Sequence, residues 1–275
     1  MPYTIEEIPN IKAALKHISY DTCLVLDLDN TVMESSLELG GDQWFNGMLK
    51  HAIQVETNSQ IAFAAVILIY YAVQNHVRTK AVEPEISQII RALQDIGVPV
   101  IALTARDHSI MQPTIRQLNA IGIDFSRCSI PAEGSVSYDK GIIFCNGQNK
   151  GAALDGFLKT CAYLPQHIVM LDDKKAHLAH VMDAVDALGI RVSGFRYGFL
   201  DEKVSQFDMH TASHQLAHLK KRLSPEVQAA IEQLKLIPHG VDLALTEASC
   251  ISGFFHHTNP SPTAHVDEHR SAFTF

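Results

Sequence analysis

Positive charge is scarce in this chain. It carries 22 Lys and Arg against 30 Asp and Glu, a net charge of −8. A protein that grips nucleic acid through its phosphates needs clustered basic residues, so no nucleic-acid partner is expected. Long apolar runs are missing too. The longest, Ile61 to Val73 (IAFAAVILIYYAV), has thirteen residues, short of the ~20 that cross a bilayer. It reads as a buried helix, and no membrane span is expected. Met1 to His17 is acidic, then basic, with no hydrophobic centre, so no signal peptide is expected. The expected location is the cytoplasm, with export by a signal-peptide-independent route left open. The five cysteines (Cys23, Cys128, Cys145, Cys161, Cys250) are scattered and form no CxxC pair. They read as small buried hydrophobes in a reducing compartment. There is no internal repeat.

The chain has 275 residues, 47% apolar and 19% charged, an ordinary globular mixture long enough for one large domain with a small insertion. After a helix expected over Ile5–Ile18, strands and helices alternate. Strands are expected at Thr22–Leu28, Val98–Leu103, Ile123–Phe125, His167–Leu171 and Ile190–Phe195. Helices are expected at Pro84–Ile96, Ile110–Ile121, Gly151–Lys159 and Lys175–Leu188, and a hairpin at 136–145 turns on Asp139, Lys140 and Gly141. Apolar strands separated by helices mean an α/β fold whose parallel sheet is covered on both faces.

One connection, from the first strand to Pro84, runs about fifty residues, too long for an ordinary βα loop. It contains Trp44, Phe45 and a helical stretch from about Glu56 to Val77, and reads as a mostly helical cap over the carboxyl edge of the sheet. The expected division is a core of 1–33 and 82–238, a cap of 34–81, and a tail of 239–275. Two helices, Gln206–Leu223 and Pro225–Leu236, are expected past Gly198. The tail is rich in His, Ser, Thr and Pro and is expected to be poorly ordered.

The first strand ends Leu26-Asp27-Leu28-Asp29-Asn30-Thr31. Residues two apart on a strand share a face, so Asp27 and Asp29 can converge on one ligand. One carboxylate can attack phosphorus while the other moves a proton, and both can approach a divalent cation. A calcium loop would place Asp27, Asp29, Thr31 and Glu38 at its first, third, fifth and twelfth positions. It would also need Gly where Val32 stands, and a helix before it. The second strand ends Leu103-Thr104-Ala105-Arg106, where a hydroxyl and free N–H groups can hold phosphate oxygens. Lys150 opens a helix and can neutralise the transferring group; Lys140 has the same Lys-Gly context but sits in a hairpin turn. The fourth strand ends Leu171-Asp172-Asp173-Lys174, two adjacent acids that are costly after an apolar run unless solvated or bound to a cation. Asp27 and Asp172 with a backbone carbonyl and waters would suit octahedral Mg2+.

In order (DLDNT, LTAR, NKG, MLDDK), these segments resemble the motifs of the haloacid dehalogenase (HAD) superfamily from about Thr22 to Gly198. The resemblance implies a Rossmann-like core with a cap inserted after the first strand, and a Mg2+-dependent phosphatase acting on a phosphate monoester. It implies Asp27 as nucleophile and Asp29 as general acid/base. Leu28, Asp29, Thr104, Ala105 and Lys150 would surround the phosphoryl group, with Thr104 and Lys150 holding it. Asp27, Asp29, Asp172 and Asp173 would form the metal site. The implied partner is a phosphorylated small molecule or phosphoprotein, and the oligomeric state stays open. The cap and C-terminal extension are similar to an uncharacterised bacterial group of HAD-like proteins, some of them secreted effectors of intracellular pathogens. The alternatives are an effector or interaction module that keeps the site with incidental catalysis, or a phosphomutase. His210, His214 and His218 share a helical face without an acid or cysteine to complete a zinc site, and read with His177 and His180 as polar helix surface.

Overall fold

A computed structural model describes residues 4–128, 130 and 138–237. In chain order the elements are β1 (Ile5–Ile8), α1 (Lys12–Leu15), β2 (Thr22–Leu26), β3 (Met33–Ser35), α2 (Asp42–Val55), α3 (Ser59–Gln74) and β4 (Thr79–Ala81). Next come α4 (Ile86–Asp95), β5 (Val100–Thr104), α5 (Met111–Ala120), β6 (Tyr138–Asp139), β7 (Ile142–Phe144), α6 (Lys150–Thr160) and β8 (His167–Asp172). The remainder is α7 (Lys175–Asp186), β9 (Arg191–Tyr197), α8 (Asp201–Ser205), α9 (Met209–Lys220) and α10 (Pro225–Gln233).

Seven strands form one sheet in the order β1-β9-β8-β2-β5-β7-β6, all pairs parallel except β6 with β7. Every residue of β2, β5 and β8 is buried, the mark of a sheet covered on both sides. The two faces follow the period of two along a strand. Leu24, Leu26, Val100, Ala102, Val169 and Leu171 pack with Ile86 and Ile90 of α4 and Leu118 of α5. Cys23, Val25, Ile101, Leu103, Ile168 and Met170 pack with Leu154 and Phe157 of α6 and Leu178 and Val181 of α7. The fold is therefore a Rossmann-like α/β sandwich. From β2 the chain proceeds outward through β5 and β7, then crosses to β8 on the other flank. β2 thus stands at the switch in strand order, where the carboxyl ends of parallel strands leave a crevice.

The insertion leaves and re-enters this core through a narrow antiparallel ribbon, β3 with β4. Just before it, the N–H groups of Val32 and Met33 both donate to the Leu28 carbonyl at 2.9 Å, one wide helical turn that swings the chain off the strand tip. Where one long helix was expected, two stand: α2 and α3, the second started by Asn58, whose side chain accepts from the N–H groups of Gln60 and Ile61. The two longer helices after Gly198, α9 and α10, expected in the core, pack instead on the insertion. Leu216 and Leu219 of α9 and Val227 and Ile231 of α10 share one apolar cluster with Trp44, Met48, Val66 and Ile69. Neither pair of helices could bury its apolar stripe alone, and together they make a second small core.

Two further expectations are corrected. Ile5–Ile8 is a strand at the sheet edge, paired with Gly194–Tyr197; Ile5 and Ile8 are three apart, a spacing that fits a helix until a pairing partner is present. Ile123–Phe125 forms no strand, yet Ile123 and Phe125 are buried in the core. The hairpin is present with a shorter turn than expected: Asp139 pairs with Ile142, leaving Lys140 and Gly141, both at positive φ, as a two-residue turn. Its start, and the tail from His239 with Cys250, lie outside the described residues. Cys23, Cys128, Cys145 and Cys161 are free thiols.

Candidate active site

The tips of β2, β5 and β8 and the start of α6 converge. Asp27 continues the sheet for one residue past β2, its N–H donating to the Leu171 carbonyl at 3.0 Å. Asp172 ends β8 and is wholly buried. Lys150 is the first residue of α6, held there because the Asn149 side chain caps the helix by accepting from the Ala152 N–H at 3.2 Å. Its ammonium, buried with it, donates to Asp27 Oδ1 and, at 2.7 Å, to Asp172 Oδ2. A lysine bridging two buried carboxylates is costly to assemble and costlier to break. Lys140 is exposed in its turn, so Lys150 is the lysine of the site.

Asp27, Asp172 and Asp173 each offer a carboxylate oxygen within 4.8 Å of the others. Burial pushes the Asp27 carboxyl up to about 6 against the pull of Lys150. Burial also raises Asp173, and the charges of Asp27 and Asp172 add to it, taking it up to about 8. Asp172 goes the other way, to about 2, because Lys150 and His177 outweigh its burial. His177 Nδ1 lies 3.1 Å from Asp172 Oδ1, and the Lys174 N–H donates to the same oxygen at 2.8 Å. Asn30, at positive φ in the wide turn, donates to Asp173 Oδ2 at 3.2 Å. Thr31 donates to Asp27 Oδ2 at 3.2 Å. Three oxygen donors carrying more negative charge than Lys150 offsets suit a hard divalent cation.

Asp29 lies outside that carboxylate cluster. Arg106 takes it in a two-pronged grip, Nε to Oδ2 and Nη2 to Oδ1, both at 2.8 Å. Burial alone would raise the Asp29 carboxyl; the guanidinium more than reverses this and holds it below the usual range. Asp29 is thus held as a carboxylate by Arg106, and it does not join the other three. Thr104 is buried at the tip of β5, its hydroxyl accepting the Arg106 N–H at 3.2 Å. Leu28 is buried, and Ala105 is exposed at the same tip.

The cap closes over this arrangement. Lys174 forms an ion pair with Asp42 at the start of α2. Tyr70 of α3 lies within electrostatic reach of Arg106, Asp29 and Asp42. Trp44 is fully buried and stacks on Tyr70, centroids 6.2 Å apart; it is part of the cap's own core. Phe45 meets Tyr70 edge-on at 5.1 Å. Arg106, Asn30, His177, Lys174 and Tyr70 are contributors that sequence reasoning left without a role. His177 lies three residues past Lys174, a helical spacing that could have flagged it. His210, exposed, and His214, half-buried, contact each other on α9, Nε2 to Nε2 at 3.2 Å.

Residues 4–229 match the sequence profile of a family described as "Protein of unknown function (DUF2608)". The chain belongs to that family. It is 25% identical over 232 residues to a Chlamydia pneumoniae protein, covering 82% of this chain and 88% of the relative. A Chlamydia trachomatis protein is 21% identical over 236 residues, covering 85% and 90%. A third relative, from Chlamydia muridarum, is 24% identical over 197 residues, covering 70% and 76%. All three carry the name "Putative outer membrane protein". In this chain no helix among the described residues is long and apolar enough to cross a membrane.

Proposed function

We propose that this protein is a HAD-type phosphohydrolase that cleaves a phosphate monoester through an aspartyl-phosphate on Asp27. The observation that carries the reading is Lys150 bridging Asp27 and Asp172 at the carboxyl ends of neighbouring parallel strands, with Asp173 completing a cluster of oxygen donors. The order of these residues along the chain supports it independently. Asp27, Asp172 and Asp173 would hold Mg2+, which when bound supplies positive charge to the phosphoryl oxygens.

Asp27 would attack phosphorus, splitting one displacement into two. Lys150, already on Asp27, would offset the charge that gathers on the transferring group, and the Thr104 hydroxyl at the β5 tip would orient its oxygens. Asp29, ionised as it stands, is in the form that takes a proton from water in the second displacement. For the first it must enter carrying a proton, which it would give to the leaving oxygen while Arg106 keeps the carboxyl in position. Asp27 is only 5% exposed, so substrate entry needs the cap to lift, as a lid does. We place the enzyme in the cytoplasm, where magnesium and phosphorylated metabolites coexist; recovery in an outer-membrane fraction would overturn that placement.

The test is release of phosphate from an aryl phosphate with and without a chelator, in the wild type and in Asp27→Asn. Turnover is expected only with Mg2+ and an intact Asp27. Undiminished rates in chelator, or in a folded Asp27→Asn protein, would refute the mechanism.

A further inference from the structure

Arg106 does not hold Asp29 on its own. Its remaining nitrogen, Nη1, donates to Thr114 Oγ1 at 3.0 Å and to Gln117 Oε1 at 2.7 Å, both on α5. Gln117 then turns its amide nitrogen across to the insertion. Nε2 lies 3.1 Å from Gln74 Oε1, 3.2 Å from the Gln74 carbonyl and 3.4 Å from the Val77 carbonyl. Gln74, the last residue of α3, donates to the Gly40 carbonyl at 2.8 Å, on the stretch of chain that leads into α2. The chain of bonds is therefore continuous: Asp29, Arg106, Gln117, Gln74, Gly40.

Its members are shut away from water. Thr114 and Gln74 have no exposed surface, Gln117 is 2% exposed and Arg106 6%. Buried polar groups of this kind carry the full cost of desolvation if one partner moves away. The amide orientations fit one consistent assignment: Gln117 accepts from Arg106 with its oxygen and donates to the cap with its nitrogen. Rotating that amide would set its NH2 against the guanidinium, so the network has a single satisfied state. The link also falls where the cap meets the core, beside the β3–β4 ribbon, with Thr79 Oγ1 donating to the Gln117 carbonyl at 3.1 Å.

We infer that Arg106, Gln117 and Gln74 are positioning residues that tie the orientation of the Asp29 carboxylate to the seating of the cap. With the cap seated, Gln74 fixes Gln117, Gln117 fixes the guanidinium, and the guanidinium fixes Asp29 beside the Asp27 attack site. If the cap shifts, Gln117 loses its acceptors, Arg106 loses a fixed anchor, and the carboxylate is free to turn. The catalytic half of this inference rests on the phosphohydrolase reading; the structural half does not.

Two measurements on the full chain separate these halves. The first follows the Arg106 Nε–H resonance by nitrogen-edited NMR, assigned through its loss in Arg106→Lys. Gln74→Leu and Gln117→Leu are expected to shift or broaden it, as Asp29→Asn should. An unchanged resonance in a folded Gln74→Leu protein overturns the link to the cap whatever the activity. The second compares an activated nitrophenyl phosphate with an unactivated alkyl phosphate, whose leaving oxygen needs a proton. Gln117→Leu and Gln74→Leu should lose at least tenfold more kcat on the alkyl ester, with KM moving less than kcat. Equal losses on both esters mean a merely structural role and refute the positioning claim. If the wild type hydrolyses neither ester with Mg2+, the phosphohydrolase reading falls and takes the catalytic half with it.

Discussion

Replacing Asp173 with Asn should make the metal-free protein more stable while removing its response to Mg2+. Asp173 stands next to two other carboxylates, and its pKa rises from the ordinary 3.8 to about 8 through burial and the charge of Asp27. A raised carboxyl means that the folded state holds its proton more tightly than the unfolded chain does. The sign follows: stability is full below pH ~4 and falls as the pH climbs toward 8. At ~1.36 kcal/mol for each tenfold change in proton affinity, that rise sets a ceiling of about 6 kcal/mol. Asp173 is half-buried and shares its charge with neighbours, so solvent screening reduces the figure to about 2–3 kcal/mol. For a chain of this size that is about 5–10 °C in Tm. Thermal melts in chelator from pH 5 to 8.5 should show Asp173→Asn gaining on the wild type as the pH rises, then levelling above pH 8. Saturating Mg2+ should stabilise the wild type, by ~2.7 kcal/mol at a hundred times Kd, and leave the variant almost unmoved. A gap that is flat with pH in chelator would refute the raised carboxyl, and a variant that gains from Mg2+ as the wild type does would show that the acidic cluster is not a cation site.

Two further outcomes test how the site is carried. Trp44→Ala should cost about 3–5 kcal/mol in urea unfolding, because the indole is fully buried against Tyr70; a loss below about 1 kcal/mol would contradict its place in the cap core. Gly151→Ala should lower both Tm and phosphate release, since a Cβ at 151 would lie 2.0 Å from the His180 carbonyl oxygen of α7. The start of α6 would have to move and take Lys150 off its carboxylates, so a variant that matches the wild type in both assays would refute that close approach.

Much of this architecture could be read in the sequence because the signals are local. The buried strands β2, β5 and β8 are short apolar runs, and their acids and threonine fall at the tips by position alone. Lys150 was separable from Lys140 because one follows a capping Asn and the other sits in a Lys-Gly turn. What escaped depends on contacts between distant segments. The chain over Ile5–Ile8 becomes a strand only because β9 offers an open edge. The two C-terminal helices look like any amphipathic pair until α2 and α3 present a matching apolar face.

His177 and Arg106 show where the limit lies. Periodicity says which residues share a helix face and is silent on what that face meets, so His177 read as polar surface although it touches Asp172. Arg106 stood in view beside Thr104, but its use depends on Asp29, 77 positions away, and on Gln117, eleven positions on. The spacing of Asp27 and Asp29 suggested two carboxylates converging on one ligand. The fold instead splits them: Asp27 goes to Lys150 and the acidic cluster, and Asp29 to Arg106. That division follows from charge. Four carboxylates around one cation leave too much uncompensated negative charge for a buried site, and Arg106 removes one of them from the group. A pair of acids two apart on a strand tip therefore gives the chemistry available, while the basic residues that the fold brings to each acid decide how that chemistry is divided.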